Sequence, residues 1–138
     1  WWWTVKKVSP PLPPPPAALM ISGTTGYWEE LGCVNGRFEL LPEGFGGRPA
    51  WQRTALDPFG GRHIWLARHP DGRWCVGLAD CFEAGTQLGF MLQRTSGSAY
   101  ELPTEVPEWE VKVHDGIRWS VENQAGVVVK VAAEQRRR

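Results

Sequence analysis

The feature that most constrains the fold of this chain is a turn pattern that recurs along it. A glycine ends each turn, an arginine follows, and an aromatic residue lies in the apolar segment that comes next. The pattern occurs at Asn35-Gly36-Arg37-Phe38, Gly46-Gly47-Arg48-Pro49-Ala50-Trp51, Gly60-Gly61-Arg62-His63-Ile64-Trp65 and Asp71-Gly72-Arg73-Trp74, and His114-Asp115-Gly116-Ile117-Arg118-Trp119 nearly repeats it. Asn-Gly and Asp-Gly are favoured in two-residue hairpin turns because both central residues need positive φ. Short strands at this spacing predict an antiparallel β-meander.

We therefore expect a mostly β domain with little helix, folded as a small sheet, a sandwich or an open barrel. The stretch 79–85 is either a short helical turn or an irregular loop, and prolines limit any strand within 95–107. Strands are predicted near residues 26–31, 36–41, 48–54, 62–68, 73–78, 88–93, 108–113, 117–122 and 126–131.

The composition of the ends predicts three regions. Residues 1–20 form a Trp- and Pro-rich N-terminal segment and linker, residues 21–131 the tryptophan-rich β domain, and residues 132–138 a polar basic tail. The prolines between Pro10 and Pro16 fix φ and remove amide donors, which predicts a polyproline II spacer; use of this segment as an SH3-type ligand is the alternative. Because the chain starts at Trp1 and not at Met, we expect it to be part of a larger multidomain protein.

The charge balance excludes two classes of partner. Fifteen basic and fifteen acidic side chains cancel, so we expect neither nucleic acid nor a membrane surface as a partner. No apolar stretch approaches the roughly 20 residues that cross a bilayer. Three cysteines cannot all pair, and the sequence shows no charged n-region followed by the apolar run of a signal peptide, which together predict an intracellular, cytoplasmic location.

The hairpin around Asp71-Gly72 allows a prediction of register. A two-residue turn would place His69 opposite Trp74, so that Trp65 and Trp74 would share one face of the sheet and Cys75 would lie on the other. A three-residue turn would reverse this sidedness.

No catalytic or metal-binding pattern is apparent. Four residues of the types that bind zinc recur at six-residue intervals. With a two-residue turn, however, both histidines would lie on the other face of the sheet from Cys75, and no Cys-x₂-Cys knuckle occurs. The chain also lacks a Gly-x-Ser-x-Gly turn and a phosphate-binding glycine loop. We therefore predict a non-enzymatic protein without metal or cofactor. The four zinc-type residues are His63, His69, Cys75 and Cys81.

The candidate binding residues are aromatic and basic. Of nine tryptophans, Trp28 and Trp119 have charged or polar neighbours and are predicted on the surface, and four others are predicted in the core. Arginines that open strands are expected to stack over neighbouring rings, with binding of an anion or a sugar acid as the alternative. The predicted core tryptophans are Trp51, Trp65, Trp74 and Trp109, and the arginines are Arg37, Arg48, Arg62, Arg73 and Arg118.

Two resemblances follow from these motifs. Leu41-Pro42-Glu43-Gly44-Phe45 and Gly61-Arg62-His63-Ile64-Trp65 resemble parts of a WW domain, but their spacing is longer and the closing Trp-x-x-Pro is absent, so its proline-binding groove is not implied. Residues 21–131 more closely resemble a tryptophan-rich β module that recurs in large protist multidomain proteins. That resemblance implies an accessory domain and names no ligand. It is carried by Asn35-Gly36-Arg37-Phe38-Glu39, Gly47-Arg48-Pro49, Ile64-Trp65-Leu66, Asp71-Gly72-Arg73-Trp74, Pro107 with Trp109 and Val111, and Asp115-Gly116 with Trp119.

The functional hypothesis is a non-catalytic interaction module of a larger intracellular protein, with a protein partner or a neighbouring domain as its ligand. A carbohydrate-binding module that uses Trp28 and Trp119 is the alternative, because flat indole rings stack on sugars. A small enzyme of unrecognised type ranks third.

Overall fold

The computed structural model describes residues 14–26, 34–58, 60–85, 89–94, 100–114 and 117–132. Within them, nine strands form one antiparallel sheet with a single short α-helix, so the predicted mostly β fold is confirmed. The elements are β1 (Ala18–Ser22), β2 (Gly36–Leu40), β3 (Trp51–Arg53), β4 (Ile64–Arg68), β5 (Trp74–Leu78), α1 (Ala79–Ala84), β6 (Gly89–Gln93), a 3-10 helix (Pro103–Glu105), β7 (Trp109–His114), β8 (Trp119–Asn123) and β9 (Val128–Val131).

The order of the strands explains why the sheet curls. Strands β1 to β8 form a meander in which each strand pairs with the next, and β9 returns to pair with β1 at the other edge. Only residues 124–127 join β8 to β9. Such a short connection can link the two edges only if the sheet curls into a half-barrel that brings them near each other.

Side-chain and glycine contacts hold the β8–β9 connection against the residues that follow β1. The side-chain amide of Gln124 donates to the carbonyl oxygen of Thr25 at 2.8 Å and accepts from its backbone N–H at 2.9 Å. Close by, a Cβ on Gly23 would overlap the carbonyl oxygen of Gly126. A side chain at Gly23 would therefore push the β8–β9 connection away from the end of β1, which is why glycine is required there.

The inner face of the curled sheet carries the main core. Trp51, Trp74 and Trp109 are fully or almost fully buried there, as predicted. The indole N–H groups of Trp51 and Trp74 donate at 2.8 Å to the carbonyl oxygens of Pro16 and Tyr100. A buried indole N–H needs one such acceptor. The hydrogen bonds therefore satisfy the two core tryptophans and also fix the segments around Pro16 and Tyr100 to the core.

A smaller cluster lies on the outer face under α1. Phe82 of the helix packs against Phe45 and Trp65 with ring centroids 5.7 and 6.1 Å away. Trp65 is therefore half-buried on the face opposite Trp51 and Trp74, whereas a place beside Trp74 was predicted. Gly85 ends the helix in a left-handed conformation, φ 72°.

Most predicted strands are confirmed, with boundaries shifted by one to three residues. The strand predicted at 26–31 lies outside the described residues apart from Gly26, and β1 was not predicted. Strand β1 starts at Ala18, inside the segment that was interpreted as linker. No helix among the described residues is long and apolar enough to cross a membrane.

Candidate functional site

The candidate site is a groove on the outer face of strands β5 to β8. The β4–β5 turn forms one part of it, β6 contributes the centre and β7 and β8 the remainder, and its volume is about 160 Å³. We call it the outer groove. It is lined by His69, Asp71, Arg73, Cys75, Gly89, Phe90, Met91, Leu92, Glu110, Lys112 and Val121.

The β4–β5 turn gives the groove its polar residues. The backbone N–H of His69 donates to the carbonyl oxygen of Arg73 at 2.8 Å, so the turn between these two paired residues has three residues. Arg68, and not His69, is therefore opposite Trp74. The predicted two-residue turn is wrong because Gly72, with φ 95°, supports the wider turn. As a consequence, Cys75 and His69 both line the outer groove, whereas the two-residue turn would have placed them on different faces of the sheet.

His69 is held at the groove through one ring nitrogen only. Its Nδ1 accepts a hydrogen bond from the backbone N–H of Asp71 at 3.2 Å, and Asp71 Oδ1 lies 3.3 Å away. Nε2 is buried, and no hydrogen-bond partner for it exists among the described residues. An unpaired buried polar atom of this kind costs about 1–3 kcal/mol.

Asp71 and Arg73 form the second polar pair of the groove. Both Nε and a terminal nitrogen of Arg73 donate to Asp71 Oδ2, at 3.0 and 2.8 Å, and the Arg73 backbone N–H donates to Oδ1. Partial burial raises the pKa of Asp71, but these hydrogen bonds and the positive charges of Arg73 and His69 outweigh it, so the pKa falls below its ordinary value. The pair is therefore fully charged at neutral pH and neutralises itself.

Cys75 is buried beside the groove at a point where β6 has no side chain. A Cβ on Gly89 would lie 2.5 Å from Cys75 Sγ, so the sulfur occupies the space that glycine leaves open. Burial raises the pKa of the Cys75 thiol to about 12, and the negative charge of Asp71 adds to the effect. The thiol is protonated at neutral pH and is therefore a poor nucleophile.

The β7–β8 hairpin extends the site to the edge of the sheet. Every residue of β8 is exposed, including Trp119 at 43 % and Val121 at 61 %. The ammonium group of Lys112 lies 5.3 Å from the Trp119 ring centroid, a cation–π contact across the hairpin. Val121 pairs with Lys112 in the ladder and also lines the outer groove, so the edge and the groove form one continuous surface.

The structure separates the predicted binding residues. Trp28 lies outside the described residues, and Arg118 is exposed just before β8. The other four strand-opening arginines have carboxylate partners, whereas the Arg–aromatic contact seen is that of Arg68 over Trp74 at 6.0 Å. Stacking of these arginines over neighbouring rings stays a prediction. The pairs are Arg37–Glu39 at 4.0 Å, Arg48–Glu101 at 3.4 Å, Arg62–Asp57 at 3.4 Å and Arg73–Asp71 at 2.8 Å.

Of the predicted binding residues that the structure describes, Arg73 lines the outer groove, and Trp119 lies on the hairpin beside it with Arg118 just before β8. Sequence reasoning missed Gly89, Lys112 and Val121, since their proximity depends on pairing between strands far apart in the chain. The Asp71-Gly72 turn signal could have indicated the polar end. Among the residues that the structure describes, no three His, Cys, Asp or Glu side chains are grouped to hold a metal ion.

Comparisons with protein-family models, with curated proteins and with solved structures find no significant match to this chain.

Proposed function

We propose that the chain is a non-catalytic binding module whose ligand is an extended segment of a protein partner, docked along the edge strand β8. The observation that supports this proposal best is the state of the two sheet edges. Strand β8 has five exposed residues, whereas β9 buries Val129 in the core and packs against the 3-10 helix. An edge strand left uncovered in this way is a template for a further strand.

The hydrogen-bonding groups of β8 have the orientation that strand addition needs. The backbone N–H of Gln124 donates to Trp109 of β7 at 3.2 Å. Paired groups recur at every second residue of an antiparallel ladder, so Val121 and Asn123 direct their N–H and C=O groups away from β7. A partner strand would bind through these groups. Its side chains would contact the exposed Val121 side chain, which lines the outer groove.

A screen of displayed random peptides against the chain, followed by titration of the selected peptide, tests this proposal. Val121→Lys places a charge on the β8 edge and should weaken binding about tenfold or more. Val128→Lys is the matched control because Val128 is an exposed valine, 47 %, on the other edge strand. It should leave the affinity within about twofold.

Amide hydrogen exchange supplies the structural readout. The N–H groups of Val121 and Asn123 should gain protection when the peptide binds, because they become part of a new ladder. Equal losses for the two valine variants, or protection elsewhere with none at β8, would contradict the proposal. The larger intracellular parent protein expected from the sequence stays a prediction.

Carbohydrate binding is the second candidate, and the exposed ring of Trp119 favours it. Lys112 lies over that ring, and an ammonium group beside an indole is also suited to hydrogen-bond a sugar hydroxyl. A glycan array distinguishes the two functions: binding that is lost on Trp119→Ala and kept in Val121→Lys would favour a sugar ligand over a peptide.

A further inference from the structure

We propose that the segment that docks on β8 is the β8 strand of a second copy of this chain, paired antiparallel about a two-fold axis at Ser120. The inference rests on the proposed function, because it names the partner of the edge strand. A two-fold interface presents the same residues from both sides, so a strand binds its own copy well only when its sequence is complementary to itself in reverse. Residues 117–123 have this property.

The backbone of β8 determines which residues can pair across that axis. The N–H of Gln124 donates to Trp109 of β7, so the even-numbered residues of β8 face β7 and the odd-numbered residues face outward. With Ser120 on the axis, Trp119 of each copy lies opposite Val121 of the other. Both residues direct their backbone groups outward, so each such pair can exchange two hydrogen bonds.

The outer face of the paired strands brings aromatic and β-branched side chains together. Val121 lines the outer groove, and Trp119 lies on the same face, where its ring contacts Lys112. Both side chains are large, apolar and exposed in the single chain. Cross-strand pairs of an aromatic and a β-branched residue stabilise a ladder, and the two-fold axis produces two of them. Self-pairing therefore covers the exposed apolar residues of the strand.

The inner face of the same strands supplies charge complementarity. Glu122 pairs with Val111, which is buried in the core, so Glu122 is on the inner side of the sheet although its own side chain is exposed. Arg118 is also exposed, and alternation along the strand places it on the side of Glu122. With Ser120 on the axis, Arg118 of each copy lies opposite Glu122 of the other. These are the non-hydrogen-bonded positions, where Cα atoms are about 4.5 Å apart and side chains are closest.

Neighbouring registers lose this match. An axis at Val121 would put Ser120 opposite Glu122, and an axis at Trp119 would put Ser120 opposite Arg118. In both registers the charged side chains have no opposite charge directly across the strands, and an unmatched charge on an edge strand discourages pairing. Self-pairing of β8 therefore has a preferred register, in which both faces are complementary.

Sedimentation velocity of the full chain, from micromolar to millimolar concentration, tests the inference. We expect a reversible dimer that is weak, because a single strand pair is a small interface. Val121→Lys should weaken dimerisation about tenfold or more. Val128→Lys, on the other edge strand, is the matched control and should leave the dissociation constant within about twofold.

Charge reversal tests the register. Glu122→Lys places like charges opposite Arg118 at both symmetric positions, and Arg118→Glu does the same to Glu122, so each variant alone should weaken dimerisation about tenfold. An equimolar mixture of the two variants should form a heterodimer with nearly wild-type affinity, because every cross-strand charge pair is again of opposite sign. The double variant Arg118→Glu/Glu122→Lys should recover the homodimer. Recovery cannot come from a chain that has failed to fold.

Three results would overturn the inference. They are a chain that stays monomeric over the whole concentration range, equal losses in Val121→Lys and Val128→Lys, and a mixture of the charge variants that does not recover. Amide exchange separates the inference from the proposed function. A selected peptide that protects the Val121 N–H on a chain that stays monomeric would leave the proposed function intact and refute only the pairing of two copies.

Discussion

Gly89→Ala is the substitution that most directly tests the packing beneath the outer groove. The added Cβ would lie 2.5 Å from Cys75 Sγ and 3.0 Å from the Val76 carbonyl oxygen. Non-bonded heavy atoms rest at about 3.5–4.0 Å, so the sulfur must move by roughly 1 Å or the strands must separate. Cys75 is 6 % exposed and has little room to move.

The expected loss of stability follows from that overlap. Forcing a methyl group into a packed site costs about 1–3 kcal/mol, and with an m-value of about 2 kcal/mol/M the urea midpoint should fall by about 0.5–1.5 M. Urea unfolding followed by tryptophan fluorescence measures this change. Gly60→Ala is the matched control, since among the described residues its Cβ would meet only Arg62 side-chain atoms, at 3.4 Å or more, and it should stay within about 0.5 kcal/mol of wild type.

A double-mutant cycle identifies the cause. Cys75→Ala removes the sulfur, so Gly89→Ala in that background should cost about 1 kcal/mol less than it does alone. A residual cost should remain because the contact with the Val76 carbonyl persists. Strictly additive effects of the two substitutions would refute the reasoning, because they would show that the Cβ and the sulfur do not compete for the same space.

Three further predictions concern the Gln124 hydrogen bonds, the reactivity of the cysteines and the pH dependence of stability. Gln124→Ala removes both hydrogen bonds to Thr25 and should lower the free energy of unfolding by about 1–3 kcal/mol in urea titrations, whereas Gln124→Glu should recover the accepting bond only. Alkylation followed by peptide mass spectrometry should modify Cys81 before Cys75, whose pKa of about 12 leaves almost no thiolate; faster labelling of Cys75 would contradict its burial. Asp71→Asn should destabilise the protein by less than about 1 kcal/mol at neutral pH, because the pair is partly exposed. Since the folded-state pKa of Asp71 lies below 3.8, its contribution is present above that pH and is lost as the pH falls through the folded-state value, so wild type and variant should converge in strong acid.

The sequence was informative about secondary structure because the signals involved are local. Glycine-based turns and aromatic strand residues predicted most of the strands, and the alternative of a short helical turn at 79–85 is realised as α1. Strand β1 was missed because prolines precede it and mask its apolar residues, Ala18 to Ile21, in a pattern typical of a linker. The prolines stop two residues before this strand begins.

The candidate site was less accessible to sequence reasoning. The turn at Asp71-Gly72 was recognised, but its length was not, and an error of one residue moved Cys75 to the wrong face. Turn length depends on how the flanking strands fit the rest of the sheet. The carboxylate partners of Arg48 and Arg62 were not foreseen either, since neither the spacing nor the composition placed them nearby.

The sequence by itself therefore determined an all-antiparallel meander with buried tryptophans, because hairpin turns and alternating burial depend on residues close together in the chain. Tertiary structure alone decided the contact of Gln124 with Thr25 after β1 and the exposure of β8. It also decided the meeting of His69 with Val121 in one groove. Each of these features depends on the curl of the nine-stranded sheet. The curl results from small rotations that accumulate from strand to strand, so the sequence of one segment does not reveal it.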